Sequence, residues 1–162
     1  MLQSLPAQLQ VLILSMLPIL ELRFAIPYGM AALEMSRWTA LAFALIGNTA
    51  ITVFLIWALD PVTKFLSKHV PGMKRFIDWL FHKTRKKHDK KMGELGHLAL
   101  FLFVAIPLPG SGAWSGSLIA YLFNVKKKPA LFWIFLGLIV SGLIVAFGTA
   151  GIMKAIESVL AG

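Results

Sequence analysis

The sequence predicts an all-α integral membrane protein: an inverted repeat of a re-entrant helical hairpin plus a transmembrane helix, joined by an amphipathic connecting helix. The first observation is composition, because 58% of the 162 residues are hydrophobic and the mean hydropathy is +0.78, values that exclude an ordinary soluble domain. The second is that two apolar stretches are broken by prolines and glycines, whereas two others are unbroken. We divide this single membrane domain into a first repeat (6–59), a basic connector (60–95) and a second repeat (96–151).

The first repeat begins with an interrupted apolar stretch. The segment from Leu9 to Leu20 is too short to cross a bilayer, which takes about 20 apolar residues. The overlapping segment from Pro18 to Gly29 holds two prolines, a glycine and the opposite charges Glu21 and Arg23 within apolar sequence. We therefore interpret residues 6–35 as a hairpin that enters the membrane and returns to the side it left.

An unbroken apolar span from Arg37 to Leu59 completes the first repeat. As a helix, its roughly 22 residues would extend about 33 Å, and Asp60-Pro61 is expected to end it. Trp38 and Trp57 lie near its two ends, where interfacial aromatic residues are typical. Near its middle, Asn48 is expected to hydrogen-bond to another helix.

The connector carries ten of the sixteen basic residues, between Lys64 and Lys91. Hydrophobic residues recur among them, a pattern that suits an amphipathic helix on the cytoplasmic surface in contact with anionic lipids; a solvated loop is the alternative. Because basic loops stay on the cytoplasmic side, the net charge of +9 does not predict nucleic-acid binding. The residues expected to contact lipid are Lys83, Arg85, Lys86, Lys87, Lys90 and Lys91.

The second interrupted stretch runs from His97 to Phe123 and holds Pro107, Pro109 and three glycines. Proline lacks an N–H group and glycine is a poor helix former. Broken backbone persists at membrane depth only where protein or a water-filled cavity surrounds it. These residues predict a second re-entrant hairpin with its turn near Pro109, and a kinked but complete transmembrane helix is the alternative.

The second unbroken span, from Pro129 to Gly151, ends the second repeat. A hairpin before it returns the chain, so the basic residues of 64–91 and 126–128 lie on the same, cytoplasmic side and both termini lie outside. The two halves then have opposite orientations, with Ala25-Ile26-Pro27 and Ala105-Ile106-Pro107 as matching motifs. Paired interrupted segments of this kind point to a transporter binding site.

Ionisable residues within a membrane are costly and mark functional sites. We expect Glu21 to bind and release a proton or cation and Arg23 to hold an anionic group; a structural ion pair is the alternative. The glycine turn at 110–116 offers hydroxyl and N–H groups that can hold a phosphate or carboxylate, or it only permits tight packing. The candidate substrate- and proton-binding residues are Glu21, Arg23, Pro27, Asn48, Pro107, Pro109, Gly110, Ser111, Gly112, Trp114, Ser115 and Gly116.

Enzymatic chemistry is not predicted. Residues 113–116 only resemble the Gly-x-Ser-Gly of intramembrane serine proteases, and no histidine lies in mid-span to act as a base. No His/Glu spacing suggests zinc, no phosphate-binding loop is present, and the sequence has no cysteine. We therefore expect neither a metal nor a cofactor.

Three segments resemble the signature segments of the small multidrug export protein family: Glu21–Pro27, Gly47-Asn48 and Pro107–Tyr121. Phe24 stands where the family usually has glycine, and Ser111 and Ser115 where it commonly has threonine. The resemblance implies a distant relationship to the DedA/VTT membrane proteins, with paired re-entrant hairpins in an inverted repeat. It also implies translocation of a lipid or lipid phosphate and dependence on the proton motive force.

Together these observations predict a multi-pass secondary transporter of the cell membrane that moves an anionic lipid or a lipid phosphate such as polyprenyl phosphate, a substrate that suits Arg23. Export of lipophilic cationic drugs, which would suit Glu21, is one alternative. A non-transporting membrane-organising protein or a lipid scramblase is another. The small hydrophobic area suggests a homodimer.

Overall fold

The computed structural model describes residues 4–75, 78–79 and 92–160, with side chains from residue 96 onward in the last range. Within these ranges the chain forms helices and no strands. The basic residues expected to contact lipid, between Lys83 and Lys91, lie outside the described residues. The helices are α1 (Ala7–Met16), α2 (Glu21–Ala31), α3 (Arg37–His69), α4 (Met92–Ala105), α5 (Ala113–Leu122) and α6 (Lys127–Leu160).

Helices α3 and α6 have 33 and 34 residues, and their most apolar windows have mean hydropathies of 2.0 and 2.6. Both are long and apolar enough to cross a membrane. The prediction that Asp60-Pro61 ends the first span is wrong, because α3 continues to His69 with Pro61 inside it. Proline removes only one helical N–H, here the one that would bond to the Trp57 carbonyl, and the helix continues on the bonds before and after it.

The two long helices run antiparallel. The Arg37 guanidinium, at the start of α3, lies 5.4 Å from the centre of the Phe147 ring in α6. At the opposite end, the Lys127 ammonium lies 4.6 Å from the centre of the Trp57 ring and 3.0 Å from the Asp60 carboxylate. We call these the Arg37 end and the Lys127 end. They are separated by about 20 residues of each helix, or about 30 Å at 1.5 Å per residue.

Helices α1 and α2 form an antiparallel pair at the Arg37 end. The Tyr28 hydroxyl of α2 donates a hydrogen bond to the Gln10 side chain of α1 at 3.0 Å. At the other end of the pair, α1 approaches α3 so closely that a Cβ at Gly47 would overlap Ser15. Small residues permit such close packing of helices. The break between α1 and α2, residues 17–20, therefore lies near the level of Gly47, halfway along the shared length of the long helices.

Helices α4 and α5 occupy the Lys127 end in a corresponding way. The His97 ring of α4 stacks on Trp133 near the start of α6, with ring centroids 6.2 Å apart. Further along, Val104 of α4 contacts both Gly137 of α6 and Gly116 of α5. The break after α4 therefore lies near the level of Gly137, again halfway between the two ends, so the tips of the two short-helix pairs meet there.

The structure corrects the sequence match between the two halves. Pro27 lies inside α2, whereas Pro107 lies in the break two residues after α4 ends. The residue in the place of Pro107 is Pro18, two residues after α1 ends at Met16. The shared Ala-Ile-Pro triplet therefore occupies two different structural positions and does not set the register of the halves.

The described basic residues of α3 lie at the same end of the bundle as the start of α6. Lys64 and Lys68 follow Asp60, the residue whose carboxylate is paired with Lys127. Lys126 and Lys128, on either side of Lys127, are exposed. Positive charge is thus concentrated at the Lys127 end of the described bundle.

Candidate functional site

Glu21 connects the tips of the two short-helix pairs. It is the first residue of α2, is 4% exposed and has a φ of 47°, a left-handed conformation that few residues other than glycine adopt. The backbone N–H of Trp114, the second residue of α5, donates to its carboxylate Oε1 at 3.2 Å. The first N–H groups of a helix lack intrahelical partners and carry partial positive charge, so this N-terminus is a favourable position for an anion.

Arg23 makes the second connection between the tips. Its Nη1 lies 3.5 Å from Glu21 Oε2. Its Nη2 donates to the backbone carbonyl of Ser111 and also to the Ser111 hydroxyl, at 2.9 Å. Its Nε is buried and has no hydrogen-bond partner among the described residues. The Arg23 side chain is 18% exposed and that of Glu21 is 5% exposed, so the cation is the more accessible member of the pair.

Trp114 and Gly112 complete the connection. The indole Nε1 of Trp114 donates to the Met16 carbonyl at 2.9 Å; as part of the last turn of α1, this oxygen has no intrahelical donor. A Cβ at Gly112 would overlap the Glu21 carboxylate, so this position admits only glycine while Glu21 keeps its place. We call Met16, Glu21, Arg23, Ser111, Gly112 and Trp114 the tip contact.

The polar groups of the glycine turn are used within the turn itself. The Ser111 hydroxyl lies 2.6 Å from the Ile106 carbonyl and accepts from the Leu108 N–H at 3.2 Å. The Ser115 hydroxyl accepts from the Gly112 N–H at 3.1 Å and donates to the Gly110 carbonyl. These groups hold the turn in shape, and the anion position at the start of α5 is occupied by the protein's own carboxylate.

The structure unites only part of the candidate set from the sequence. Glu21, Arg23, Ser111, Gly112 and Trp114 come together in the tip contact, whereas Pro107 and Pro109 shape the adjoining break and Gly116 packs against α4. Pro27 lies inside α2, and Asn48 lies in the middle of α3. The contribution of the Met16 carbonyl was not predicted, because a backbone group has no sequence signal.

The expectation that Asn48 bonds to another helix is wrong. Both polar atoms of its amide are buried and have no hydrogen-bond partner among the described residues. The Ser141 hydroxyl of α6 is likewise buried without a partner among the described residues, so it does not bond to Asn48 either.

Among the described residues, no group of three or more acidic, histidine or cysteine side chains could hold a metal ion.

A family model described as "Putative small multi-drug export protein" matches residues 21–144. The match covers the tip contact except Met16, together with all of α3 and about half of α6. No curated protein and no solved structure matches the chain. The family match and the two long apolar helices together identify a membrane protein with transmembrane helices.

Proposed function

Because the chain belongs to the small multi-drug export protein family, we propose that it is a secondary transporter, not an enzyme, with its binding site at the tip contact. The observation that carries this proposal is a buried Glu21 held between Arg23 and the N-terminus of α5. Ionisable residues inside membrane proteins are typical of substrate and ion pathways. In transporters with discontinuous helices, half-helix N-termini near the bilayer centre point at anionic groups of the substrate.

The depth of the tip contact supports this assignment. Its two breaks lie near the levels of Gly47 and Gly137, each ten residues into a long helix, or about 15 Å from its start. The hydrocarbon core of a bilayer is about 30 Å thick. If that core spans the distance between the Arg37 and Lys127 ends, both breaks lie at its centre and each short-helix pair is a re-entrant hairpin.

The antiparallel long helices support an inverted repeat. Arg37 contacts Phe147, and Lys127 contacts Trp57, so the first residue of each long helix meets an aromatic residue about 20 positions into the other. Gly47 against α1 and Gly137 against α4 form a second matched pair. We propose on this basis that the two halves are inverted copies, as the resemblance to the DedA/VTT proteins implies.

We propose an anionic lipid or a lipid phosphate as the substrate. The Glu21 carboxylate occupies the anion position in the tip contact, and a phosphate group could replace it against the α5 N–H groups and Arg23. The unused, buried Nε of Arg23 supplies a further donor for such a group. Either an anion or a lipophilic cation would have to break the pair of Glu21 and Arg23, but only an anion could also use the free Nε of Arg23 and the N–H groups of α5, which favours the anionic substrate.

Exchange of Glu21 for substrate would couple transport to protons. A protonated Glu21 no longer attracts Arg23 or the positive end of α5, so both become available to an incoming anion. Departure of the anion and loss of the proton would restore the contact. The proton and the anionic group would therefore occupy the site together and leave it together, which makes transport depend on the proton motive force.

For membrane orientation, we propose that the Lys127 end is cytoplasmic. It carries Lys64, Lys68 and Lys126–Lys128, and basic residues are retained on the cytoplasmic side. Because α1 begins and α6 finishes at the Arg37 end, both chain termini would then lie outside. The homodimer stays a prediction.

Proton flux in liposomes tests the proposed function. The reconstituted protein is placed under an imposed pH gradient, lumenal pH is followed, and lipid phosphates and cationic drugs are added in turn. We expect flux that requires a lipid phosphate, is lost in Glu21→Gln and is kept in Glu34→Gln. Glu34 is a matched control because it also has a left-handed φ, of 52°, but is exposed.

Two outcomes would overturn parts of the proposal. Flux that requires a cationic drug would replace the anionic substrate with a cation bound at Glu21. No ligand-dependent flux in folded wild-type protein would exclude proton coupling, and it would leave scrambling or membrane organisation as the function.

A further inference from the structure

Ser111 contacts Arg23 more closely than Glu21 does. The Ser111 hydroxyl accepts from Arg23 Nη2 at 2.9 Å, and the Ser111 carbonyl accepts from the same nitrogen. Glu21 Oε2, in contrast, lies 3.5 Å from Arg23 Nη1, which is longer than the usual hydrogen bond from nitrogen to oxygen. Protonation of Glu21 would therefore end the longer contact and leave both bonds to Ser111 in place.

The break between α4 and α5 fixes the position of the Ser111 hydroxyl. This hydroxyl accepts from the Leu108 N–H at 3.2 Å. It lies 2.6 Å from the Ile106 carbonyl and 2.9 Å from the Leu108 carbonyl, either of which can take its proton. A hydroxyl donates once and accepts twice, so its capacity is filled by the break and by Arg23. Because Ser111 is also only 3% exposed, its oxygen is held in one place beside the guanidinium.

Arg23 uses only part of one edge of its guanidinium. In any arginine, Nε and Nη2 each point an N–H group to the same side, and the two together match two oxygens of one phosphate or carboxylate. In this site Nη2 donates to Ser111, whereas Nε is buried and has no partner among the described residues. Ser111 therefore occupies one nitrogen of this edge and leaves the other without an acceptor.

We propose that Ser111 is a positioning residue that competes with the anionic group of the substrate for Arg23. This inference rests on the proposed function, in which Arg23 holds that group. In the empty site, Ser111 takes the place of one oxygen of the group at Nη2. When the group binds, its two oxygens accept from Nε and Nη2, and the Ser111 hydroxyl keeps its bonds to the break. When the group leaves, the hydroxyl is still in position to accept from Nη2 again.

This competition lowers the affinity of the site for the anionic group. Binding of the group has to break the bond between Arg23 and the Ser111 hydroxyl, and hydrogen bonds to charged partners are among the stronger ones. Ser111→Ala removes this bond from the empty site and removes no bond to the bound group. We therefore expect Ser111→Ala to bind the group about tenfold more tightly than wild type, the ratio that corresponds to roughly one hydrogen bond.

Binding and stability should change in opposite directions in this variant. Ser111→Ala leaves the Leu108 N–H without its acceptor, so the variant should melt below wild type although it binds more tightly. A hydroxyl that only held the break in shape would lower the melting temperature without any gain in affinity. The probe is dodecyl phosphate, titrated by calorimetry into the full-length protein in detergent at one fixed pH, with Arg23→Gln measured alongside.

Three control variants separate competition from loss of stability. Ser115→Ala removes another hydroxyl of the same turn, whose bonds are to the Gly112 N–H and the Gly110 carbonyl, so it should lower the melting temperature and keep the wild-type Kd. Ser111→Thr keeps the hydroxyl and should restore the wild-type Kd. Ser111→Cys has a similar size and only a weak acceptor, so it provides the same test if Ser111→Ala does not fold.

The failure of this inference can be distinguished from the failure of the proposed function. Equal binding of dodecyl phosphate by wild type and Arg23→Gln would refute the anion site, and the role of Ser111 with it. Binding that requires Arg23 but is no tighter in Ser111→Ala or Ser111→Cys would overturn the role of Ser111 alone. An equal gain in affinity in Ser115→Ala would also overturn it, because loosening of the turn would then be the cause.

Transport gives a second readout of the same competition. In the liposome assay with a lipid phosphate, Ser111→Ala should lower KM, because the group binds more tightly, and should lower kcat, because the group leaves more slowly. Ser115→Ala should leave KM unchanged. A higher KM in Ser111→Ala would show that the hydroxyl helps to hold the substrate, which contradicts competition.

Discussion

Replacing Gly112 with alanine should break the tip contact with a single methyl group. The three heavy atoms nearest to a Cβ at this position all belong to the carboxyl group of Glu21, and all three would overlap it. The backbone at Gly112, with φ −125° and ψ −147°, has the negative φ that other residues adopt, so the substitution adds no left-handed strain. Displacement of the carboxylate should therefore be the main effect of the substitution.

The expected cost follows from what the carboxylate loses. Its hydrogen bond from the Trp114 N–H is charge-assisted, and such a bond contributes about 1.5–3 kcal/mol. For a chain of this size, each kcal/mol lowers the melting temperature by about 2–4 °C. We expect Gly112→Ala to melt about 3–12 °C below wild type in detergent. Gly148→Ala is the matched control, because no atom lies within 4 Å of a Cβ there and the change should stabilise α6 by about 0.5–1 kcal/mol.

A double-mutant cycle isolates the contact between Gly112 and Glu21. In a Glu21→Ala background the carboxylate is absent, so the added methyl group should have little further effect. Two results would refute the reasoning: Gly112→Ala melting like wild type, or the same loss of stability in both backgrounds. The second would mean that the methyl group clashes with something other than the carboxylate.

Three further predictions concern packing and pairing. Gly137→Leu should prevent folding, because even a Cβ at this position would crowd α4. Gly151→Leu should fold, because the space beside Gly151 is open. Expression and gel filtration distinguish the two variants. Trp114→Phe should destabilise the protein by about 1–3 kcal/mol in thermal unfolding, because it leaves a carbonyl of α1 without its indole donor. Asp60→Asn should change stability by less than about 1 kcal/mol at any salt concentration, because its ion pair with Lys127 is well exposed.

The breaks in the short-helix pairs could be predicted from sequence because their causes are local. Proline and glycine interrupt a helix wherever they are dense, and α1 and α4 do end beside Pro18 and Pro107. Local rules failed at Pro61, where α3 continues because losing one N–H does not outweigh the bonds on either side. The end of a helix is therefore less predictable from one proline than from a cluster of them.

The partners within the site were not predictable, because they depend on which surfaces meet. The sequence identified Glu21 and Arg23 as costly charges, but residues two apart do not face each other on a helix. Their approach depends on the left-handed backbone at Glu21 and on the start of α5, more than 90 residues away in sequence. For the same reason Asn48 was expected to bond to another helix, whereas its amide has no hydrogen-bond partner among the described residues.

Glu21 could act as a carrier group or only as a structural cap, and one variant separates the two roles. In Glu21→Gln the amide oxygen can still accept from the Trp114 N–H. If Glu21 is only a structural cap, the variant therefore keeps most of this contact, and its stability falls only by the charge-dependent part, about 1 kcal/mol. A carrier group, in contrast, loses all function, because an amide cannot take up and release the proton. Near-normal melting with no ligand-dependent proton flux therefore identifies a carrier. Near-normal melting with retained flux would identify a cap and move the proton pathway elsewhere.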